Sequence, residues 1–454
     1  MKEFDYIIIG TGQAGTPLAF SLAKKGKVAI IEKSLVGGTC VNNGCVPTKA
    51  YVASARRMWD SNHGEDLGIE IPAGSKANLE KIKARKETFV HASRNGIEKS
   101  FDDNENITLY RAEAYFVSDY EIMVNEEKIT AKQIFINVGA RAVVPEEYKS
   151  IDYLTNISIL ELTSIPKHLV IVGGSYIGLE FGQMFKRFGS EVTILERGDR
   201  LIKREDEDVS EAVAKIMQNE DINVNLNAKD ITMSQGGAEI TVKMNNTQDS
   251  IIASHVLLAI GRQPNTDTLK LENTTIEVDD KGMVAVDDFC RTNVEGIFAI
   301  GDCNGHGGFT HTSYNDFQIV DAYLLDKEER KISDRITTYG LFIDPPLGRV
   351  GMTKKQAVEK GYEVLVASRP MSKIARAKEK GETQGFMEAI IDAKTNLILG
   401  ASVLGVGGDE IINGFTNLMY AKQPYTVFRD GVHIHPTVTE LIPTMLENVS
   451  PLSK

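Results

Sequence analysis

The chain has 454 residues, of which 42% are hydrophobic and 25% charged, with a formal net charge of −12. That length exceeds what one core supports and fits roughly three domains of about 150 residues, while the acidic balance and the lack of a long basic run set nucleic acid aside as a partner. No apolar stretch approaches the ~18 residues of a membrane span, and the opening MKEFDYIIIG mixes charges with a short apolar run unlike a cleavable signal, so the expectation is no membrane and a cytoplasmic location.

Tyr6 to Ile9 is an apolar run suited to a buried parallel strand, and Gly10-Thr-Gly12-Gln-Ala-Gly15 follows at once. A helical pattern then carries to Lys25. A second apolar strand, Val28 to Ile31, ends in Glu32, which stands 32 − 10 = 22 positions after Gly10. Glycines allow the tight turn and close approach of a pyrophosphate, and the acid takes ribose hydroxyls, so this unit reads as a dinucleotide site.

Gly37 to Lys49 reads GGTCVNNGCVPTK, and the only other cysteines are Cys290 and Cys303. Such sparing use speaks against a structural disulfide between Cys40 and Cys45, and no second Cys or His pair lies nearby to complete a zinc site. At a helix start, backbone N–H groups and the dipole favour a thiolate, and Lys49 shares the helix face of Cys45. The two cysteines read as a redox-active pair; the plain alternative is two buried cysteines beside a glycine turn.

This stretch closely resembles the active-site segment of the class I pyridine nucleotide-disulfide oxidoreductases, the family of glutathione reductase, dihydrolipoyl dehydrogenase and mercuric reductase, and the resemblance runs nearly end to end. It implies an α/β fold with two Rossmann-like dinucleotide-binding domains plus a C-terminal α+β dimerisation domain. Residues 1–147 and 267–333 would form an FAD-binding domain, 148–266 an NAD(P)-binding domain and 334–454 the dimerisation domain. In the family the first glycine unit holds FAD, and Gly38, Thr39 and Lys49 match positions beside it.

From Ala50 to Lys99 the pattern is mostly helical and polar, with a loop around residues 63–75; His63 and His91 are isolated and fit surface or capping roles. Strand-like runs follow at Ile107 to Arg111, Ala114 to Val117, Glu121 to Val124 and Gln133 to Val138, before Gly139. The last resembles the strand closing the family's first FAD segment. It continues as INVGARAVVP where relatives have an ATGS-like sequence, which reads as drift in a backbone turn.

At Leu169 the opening pattern returns. Leu169 to Val172 is an apolar strand, Gly173-Gly-Ser-Tyr-Ile-Gly178 a turn, Leu179 to Phe188 a helix and Val192 to Leu195 a strand ending in Glu196, which is 196 − 173 = 23 positions past Gly173. Ser175 replaces the middle glycine. A nicotinamide dinucleotide is the implied ligand; Glu196 favours NADH, although Arg197, Arg200, Lys203 and Arg204 follow and could turn the preference to NADPH. The resemblance pairs Glu180 with Lys49 beside the flavin and makes Tyr176 the ring that covers the flavin until the nicotinamide displaces it, with a plain packing tyrosine as the alternative. His255 to Ile260 and the GRQPNT that begins at Gly261 close this unit.

Arg291 to Asp302 is a strand that delivers an aspartate directly after Gly301, where a carboxylate can meet flavin ribityl hydroxyls, as its match does in the family. Cys303, His306 and His311 follow in what reads as a glycine-rich loop. A metal cluster of those three is set aside, and no metal is expected.

From about Ser333, alternating apolar runs (Thr337 to Ile343, Val364 to Ala367, Gly385 to Ile391, Leu397 to Val406) suggest an antiparallel sheet with two or three helices. This resembles the family's interface domain and implies a two-fold homodimer. Val432-His433-Ile-His435-Pro436-Thr437-Val-Thr-Glu440 matches the HPTxxE signature, in which a carboxylate fixes the tautomer of an acid–base histidine. In relatives this histidine reaches the other subunit's disulfide, so His435 would serve the partner's thiols. No role is assigned to His433, nor to Cys303 beyond a structural one.

The implied chemistry is a relay from NADH or NADPH through FAD to Cys45, then Cys40, then a small-molecule acceptor. The tail ENVSPLSK lacks the cysteine pair of mercuric reductases, and Phe20 stands where glutathione reductases place an arginine. Dihydrolipoyl dehydrogenase stays open, as does a mercury(II) reductase lacking that C-terminal cysteine pair; the preferred placement is the mercuric-reductase-like branch that includes reductases of hypothiocyanous acid. A flavin-binding redox sensor is the non-enzymatic alternative, and it has no need of the HPTxxE unit.

Overall fold

Residues in short, wholly apolar runs can be buried on both faces of a sheet, and helices between them supply the cover. The computed structural model describes residues 1–71, 74–245, 248–325 and 328–452; two residues of the loop expected over 63–75 and the last two of the tail ENVSPLSK lie outside the described residues. Lys2–Ile9 pairs in parallel with Val28–Ile31 and with Glu127–Ile136, and Ile107–Tyr110 extends the sheet beyond Val28–Ile31. Ala114–Ser118 and Glu121–Val124 join antiparallel at the other side. Ile297–Ala299 then returns to pair with Glu127–Ile136, after the chain has built a second sheet.

Helices α1 (Gly15–Leu22), α2 (Gly38–Asn43), α3 (Cys45–Asp60) and α4 (Leu79–Asp102) follow the first strands. Side-chain alternation splits the strand core. Ile8, Ile30 and Phe135 face Leu18 and Leu22 of α1 and Phe101 of α4, whereas Ile7, Ile9 and Ile134 pack with Phe116 and Ile122 on the other side. Helix α1 stops at Leu22, short of the Lys25 expected, because the turn to Gly26 bonds back to Leu22 O.

The second sheet is parallel throughout, in the order Asn223–Asn225, Glu191–Leu195, His168–Val172, His255–Leu258, Tyr153–Leu154. Helices α5 (Tyr176–Phe188) and α6 (Glu207–Asn219) belong to it, and Phe181, Met184 and Phe185 of α5 pack with Ile171 and Ile194. An antiparallel ribbon of Thr232–Gly236, Glu239–Lys243 and Ser250–Ala253 is attached, which the sequence pattern did not announce. Its first strand is almost wholly exposed and carries no apolar alternation.

Helix α7 (Thr310–Leu324) follows Ile297–Ala299 and covers the first sheet with Ile319 and Val320. It corrects one expectation: His311 lies in the first turn of this helix, not in a glycine-rich loop. Thr312 Oγ1 accepts the Phe309 N–H at 3.2 Å and starts the helix just after Gly308.

The third sheet runs Thr338–Leu341, Leu347–Gly351, Ile398–Leu404, Phe386–Asp392, Val364–Pro370, Ser450–Pro451 and is antiparallel. The strand Leu347–Gly351 was not expected, since LGRVG sets an arginine and two glycines where apolar residues would announce it. The helix Gly408–Tyr420 packs on this sheet through Ile412 and Phe415.

Candidate functional site

The first glycine turn, both thiols of GGTCVNNGCVPTK, the start of α5, the end of Ile297–Ala299 and the first strand of the third sheet line one cleft of about 390 Å³. Gly10, Gly12, Glu32, Gly38, Thr39, Cys40, Cys45, Lys49, Gly139, Tyr176, Glu180, Gly301 and Asp302 all line it. Gly15, Gly173, Gly178, Glu196, Gly261, His435 and Glu440 do not.

At the turn, Gly10 has φ +109°, and a Cβ there would fall 2.2 Å from Asn137 O. Gly38 comes so near that its Cβ would lie 2.9 Å from Gly12 Cα, which seats α2 on the turn. Gly15 stands behind, its Cβ position 2.4 Å from Gly10 O. Glu32 Oε2 accepts from Thr11 N–H (3.1 Å) and Thr11 Oγ1 (2.7 Å), and Oε1 from Ser34 N–H (2.9 Å). Asn137 Nδ2 donates to Gly10 O at 3.0 Å, so the unusual INVGA is no mere drift: its asparagine braces the glycine turn and lines the cleft. A polar side chain closing an otherwise apolar strand was the available signal.

Asp302 enters from the far strand. Burial pushes its carboxyl up from the ordinary range, against the pull of Arg262. Its ties are loose: Ser313 Oγ at 3.4 Å, and Arg262 Nε at 3.6 Å with no hydrogen-bond partner of its own. A glycine cradle that admits no side chain, together with a half-buried carboxylate short of donors, fits a flavin dinucleotide, with Asp302 available to ribityl hydroxyls.

Cys40 lies in α2 and Cys45 opens α3, both as free thiols. The hydrogen bond from Cys40 draws the Cys45 thiol down to about 6, and Thr310 and Lys49 act in the same direction against burial. The same bond and burial push Cys40 well up, so the pair's proton sits on Cys40. Thr310, which no sequence pattern singled out, puts Oγ1 3.1 Å from Cys45 Sγ and is the first residue of α7. Lys49 Nζ is 2.6 Å from Glu180 Oε2, and Glu180 Oε1 accepts the Phe342 N–H at 2.9 Å. Lys49 also stands 4.1 Å from the Phe342 ring centre.

The second glycine turn repeats the first. Gly173 has φ +115°, and its Cβ would meet Ala259 O at 2.3 Å; that of Gly178 would meet Gly173 O at 2.0 Å. Ser175 sits at φ −104°, extended backbone that needs no glycine. Glu196 accepts from Gly174 N–H and Gly198 N–H, each at 2.7 Å. Gly261 O accepts from Val143 N–H at 3.0 Å. Tyr176, first residue of α5, leans on Phe309 at 5.5 Å.

His435 and Glu440 form a pair apart from the cleft, with Nδ1 2.9 Å from Glu440 Oε2. His435 is 79% exposed and flanked by the exposed Val432 and Ile434. His433 Nε2 is tied to Phe428 O at 3.2 Å. Cys303 is buried between Ile136 O and Ile300 O, and burial pushes its thiol up to about 12. Among the described residues no group of three His, Cys, Asp or Glu side chains could hold a metal ion, Cys303, His306 and His311 included. No helix among them is long and apolar enough to cross a membrane. His63 has the expected surface and capping role at the end of α3, with Nδ1 2.9 Å from Trp59 O and its ring stacked on Trp59 at 3.5 Å.

Residues 4–316 match the family described as pyridine nucleotide-disulphide oxidoreductase, and residues 337–446 match that family's dimerisation domain. The chain belongs to the pyridine nucleotide-disulfide oxidoreductases. Similar proteins include the probable pyridine nucleotide-disulfide oxidoreductase RclA of Escherichia coli, 36% identical over 97% of this chain and 98% of that one. A mercuric reductase of Staphylococcus aureus is 34% identical over 95% of this chain and 82% of its own, and dihydrolipoyl dehydrogenase of Bacillus subtilis 32% over 97% and 95%. The solved copper(II) complex of the HOCl-induced flavoprotein disulfide reductase RclA from Escherichia coli superposes with TM-score 0.89 at 35% identity, covering 98% of this chain and 100% of that one. This oxidoreductase is therefore an enzyme with the α/β architecture of its class, from a family that depends on a flavin and a pyridine nucleotide and carries a dimerisation domain.

Proposed function

We propose that this oxidoreductase carries electrons from NAD(P)H through the Cys40–Cys45 couple to a small oxidised acceptor, either a thiol-reactive oxidant such as hypothiocyanous acid or a low-molecular-weight disulfide. The observation that carries the reading is the shared cleft, in which the glycine turn, Asp302, Lys49 and Cys45 meet. The likeness to RclA, a flavoprotein disulfide reductase of Escherichia coli, supports the acceptor class.

Gly10, Gly12, Glu32, Gly38, Thr39, Gly139, Gly301 and Asp302 would hold FAD, and Gly173, Gly178, Glu196 and Gly261 the nicotinamide dinucleotide. Bound there, FAD supplies the exchange between a hydride donor and a dithiol. The chain's residues do the rest. Lys49, paired with Glu180, sets its ammonium beside Cys45 and leaves no uncompensated carboxylate in the wall. Cys40 gives its proton to His435 of the partner subunit, oriented by Glu440, and attacks a disulfide acceptor at sulfur; the S–S bond breaks and one thiolate leaves, taking that proton from His435. Cys45 then attacks Cys40 Sγ, releases the second thiolate and restores the disulfide. With hypothiocyanous acid the groups released are water and thiocyanate.

The two-fold dimer this requires is supported by the exposed Val432 and Ile434 beside His435. The domain division is 1–147 with 267–333, 148–266 and 334–454, supported by the return of Ile297–Ala299 to the first sheet. NADH is the favoured donor because both Glu196 oxygens are fixed by backbone N–H groups, where they would repel a 2′-phosphate. A reducing compartment, the cytoplasm, suits four free cysteines. Oxidation of NADH and NADPH assayed with hypothiocyanous acid and a panel of disulfides tests the reading; stimulation by no acceptor would overturn it.

A further inference from the structure

Four segments meet at the mouth of the cleft around Tyr176. The Tyr339 ring lies parallel to Phe309, at 5.7 Å and 1° between planes, and Phe309 leans on Tyr176. The exposed guanidinium of Arg204 stands 5.9 Å from the Tyr176 ring centre and 5.7 Å from that of Tyr339, inside the ~6 Å reach of a cation–π contact. Behind this group, the Tyr339 hydroxyl donates to Glu205 Oε1, whose side chain is wholly buried. Arg349 Nη1 lies 3.5 Å from Glu205 Oε2, and neither atom has another partner. Tyr339 is thus pinned at its hydroxyl by a buried carboxylate and at its face by Phe309. Arg204, adjacent in sequence to Glu205, is fixed between the two tyrosines.

If the nicotinamide displaces Tyr176, as the family resemblance implies, each contact that favours the closed ring competes with the nucleotide. We propose that Arg204, set against the Tyr339 ring that Glu205 pins, is a positioning residue that restrains Tyr176 over the cleft and so sets how readily nucleotide and solvent reach the face beneath it. This rests on the reading of Tyr176 as a displaceable cover. It also accounts for Arg204 differently from a role at a 2′-phosphate: its guanidinium faces two aromatic rings, while Glu196 is tied into the second glycine turn.

The test uses the FAD-loaded full chain and the variants Arg204→Met, Tyr339→Leu and Tyr176→Ala. It reads iodide quenching of flavin fluorescence, NAD⁺ affinity by calorimetry, and the ratio of dioxygen-linked to acceptor-linked NAD(P)H oxidation. Arg204→Met should raise quenching and tighten NAD⁺ by about two- to five-fold, the weight of one exposed cation–π contact, and raise the oxygen ratio without lowering the melting temperature. Tyr176→Ala should do the same by more. If Tyr176→Ala moves these readouts and neither Arg204→Met nor Tyr339→Leu does, the restraint is wrong and the cover stands. If Tyr176→Ala moves none of them, the cover falls and the restraint with it.

Discussion

Thr310 Oγ1 lies 3.1 Å from Cys45 Sγ, and Thr310 begins a helix of 15 residues. A hydroxyl donor and a helix N-terminus therefore both favour the thiolate that the bond from Cys40 and the charge of Lys49 also favour. In the dithiol form, Cys45 should be alkylated by iodoacetamide with a midpoint near 6, the value its surroundings set. Thr310→Val should raise that midpoint by roughly one pH unit, as expected for the loss of one hydrogen bond to a charged group. An unchanged midpoint would show that Thr310 does not act on the thiolate.

The Lys49–Glu180 pair is uneven, with the lysine side chain a third exposed and the glutamate 7% exposed. Removing the lysine strands the more buried partner, so Lys49→Met should destabilise the fold by about 1–3 kcal/mol, discounted for solvent on the lysine side. Glu180→Gln, which keeps an acceptor for the Phe342 N–H, should cost less. Denaturant titrations of both variants at neutral pH give the comparison.

What could be read in advance follows from where the driving force lies. Ile7 to Ile9 and Leu169 to Val172 are buried on both faces, so they show as apolar runs whatever surrounds them. Gly10 and Gly173 are fixed by close backbone approach, and their spacing to Glu32 and Glu196 survives in the sequence. Arg349 hid a strand because it is buried against Glu205 and Asp206, ionic partners from a distant segment that no local pattern shows. Thr310 and Asn137 were missed for the same reason: each acts on a residue far away in the chain.

Asp344 joins α3 to α5. Its Oδ1 accepts from Arg56 Nη1 and its Oδ2 from Arg187 Nη1, both at 2.6 Å. Against the opposing effect of burial, these arginines hold its carboxyl below the ordinary value of 3.8. A depressed carboxylate stabilises the fold above its unfolded value, and that contribution is lost as pH falls through the folded one. Asp344→Ala should therefore cost about 3 kcal/mol at pH 7, with the gap to the parent narrowing below pH 3.8.

Glu388 has the opposite sign. Burial, with Asp208 nearby, raises its carboxyl from 4.5 to about 7 despite the contact with Lys354. Between those values the folded chain holds more protons than the unfolded one, so this group's contribution falls as pH rises from 4.5 to 7. Glu388→Gln should remove that slope and gain about 1–3 kcal/mol over the parent at pH 8 relative to pH 5, while Lys354 keeps Asp208 as its partner. Equal effects at both pH values would contradict the assignment.

The account turns on Cys40 and Cys45 being the couple through which electrons leave the nucleotide. The direct measurement is anaerobic addition of NAD(P)H to the oxidised, FAD-loaded chain, followed by alkylation and peptide mass mapping. We predict that two new alkylatable thiols appear, at Cys40 and Cys45, and that adding the acceptor removes both. Nucleotide oxidation coupled to an acceptor with neither thiol appearing, or full acceptor turnover by Cys45→Ser, would contradict it.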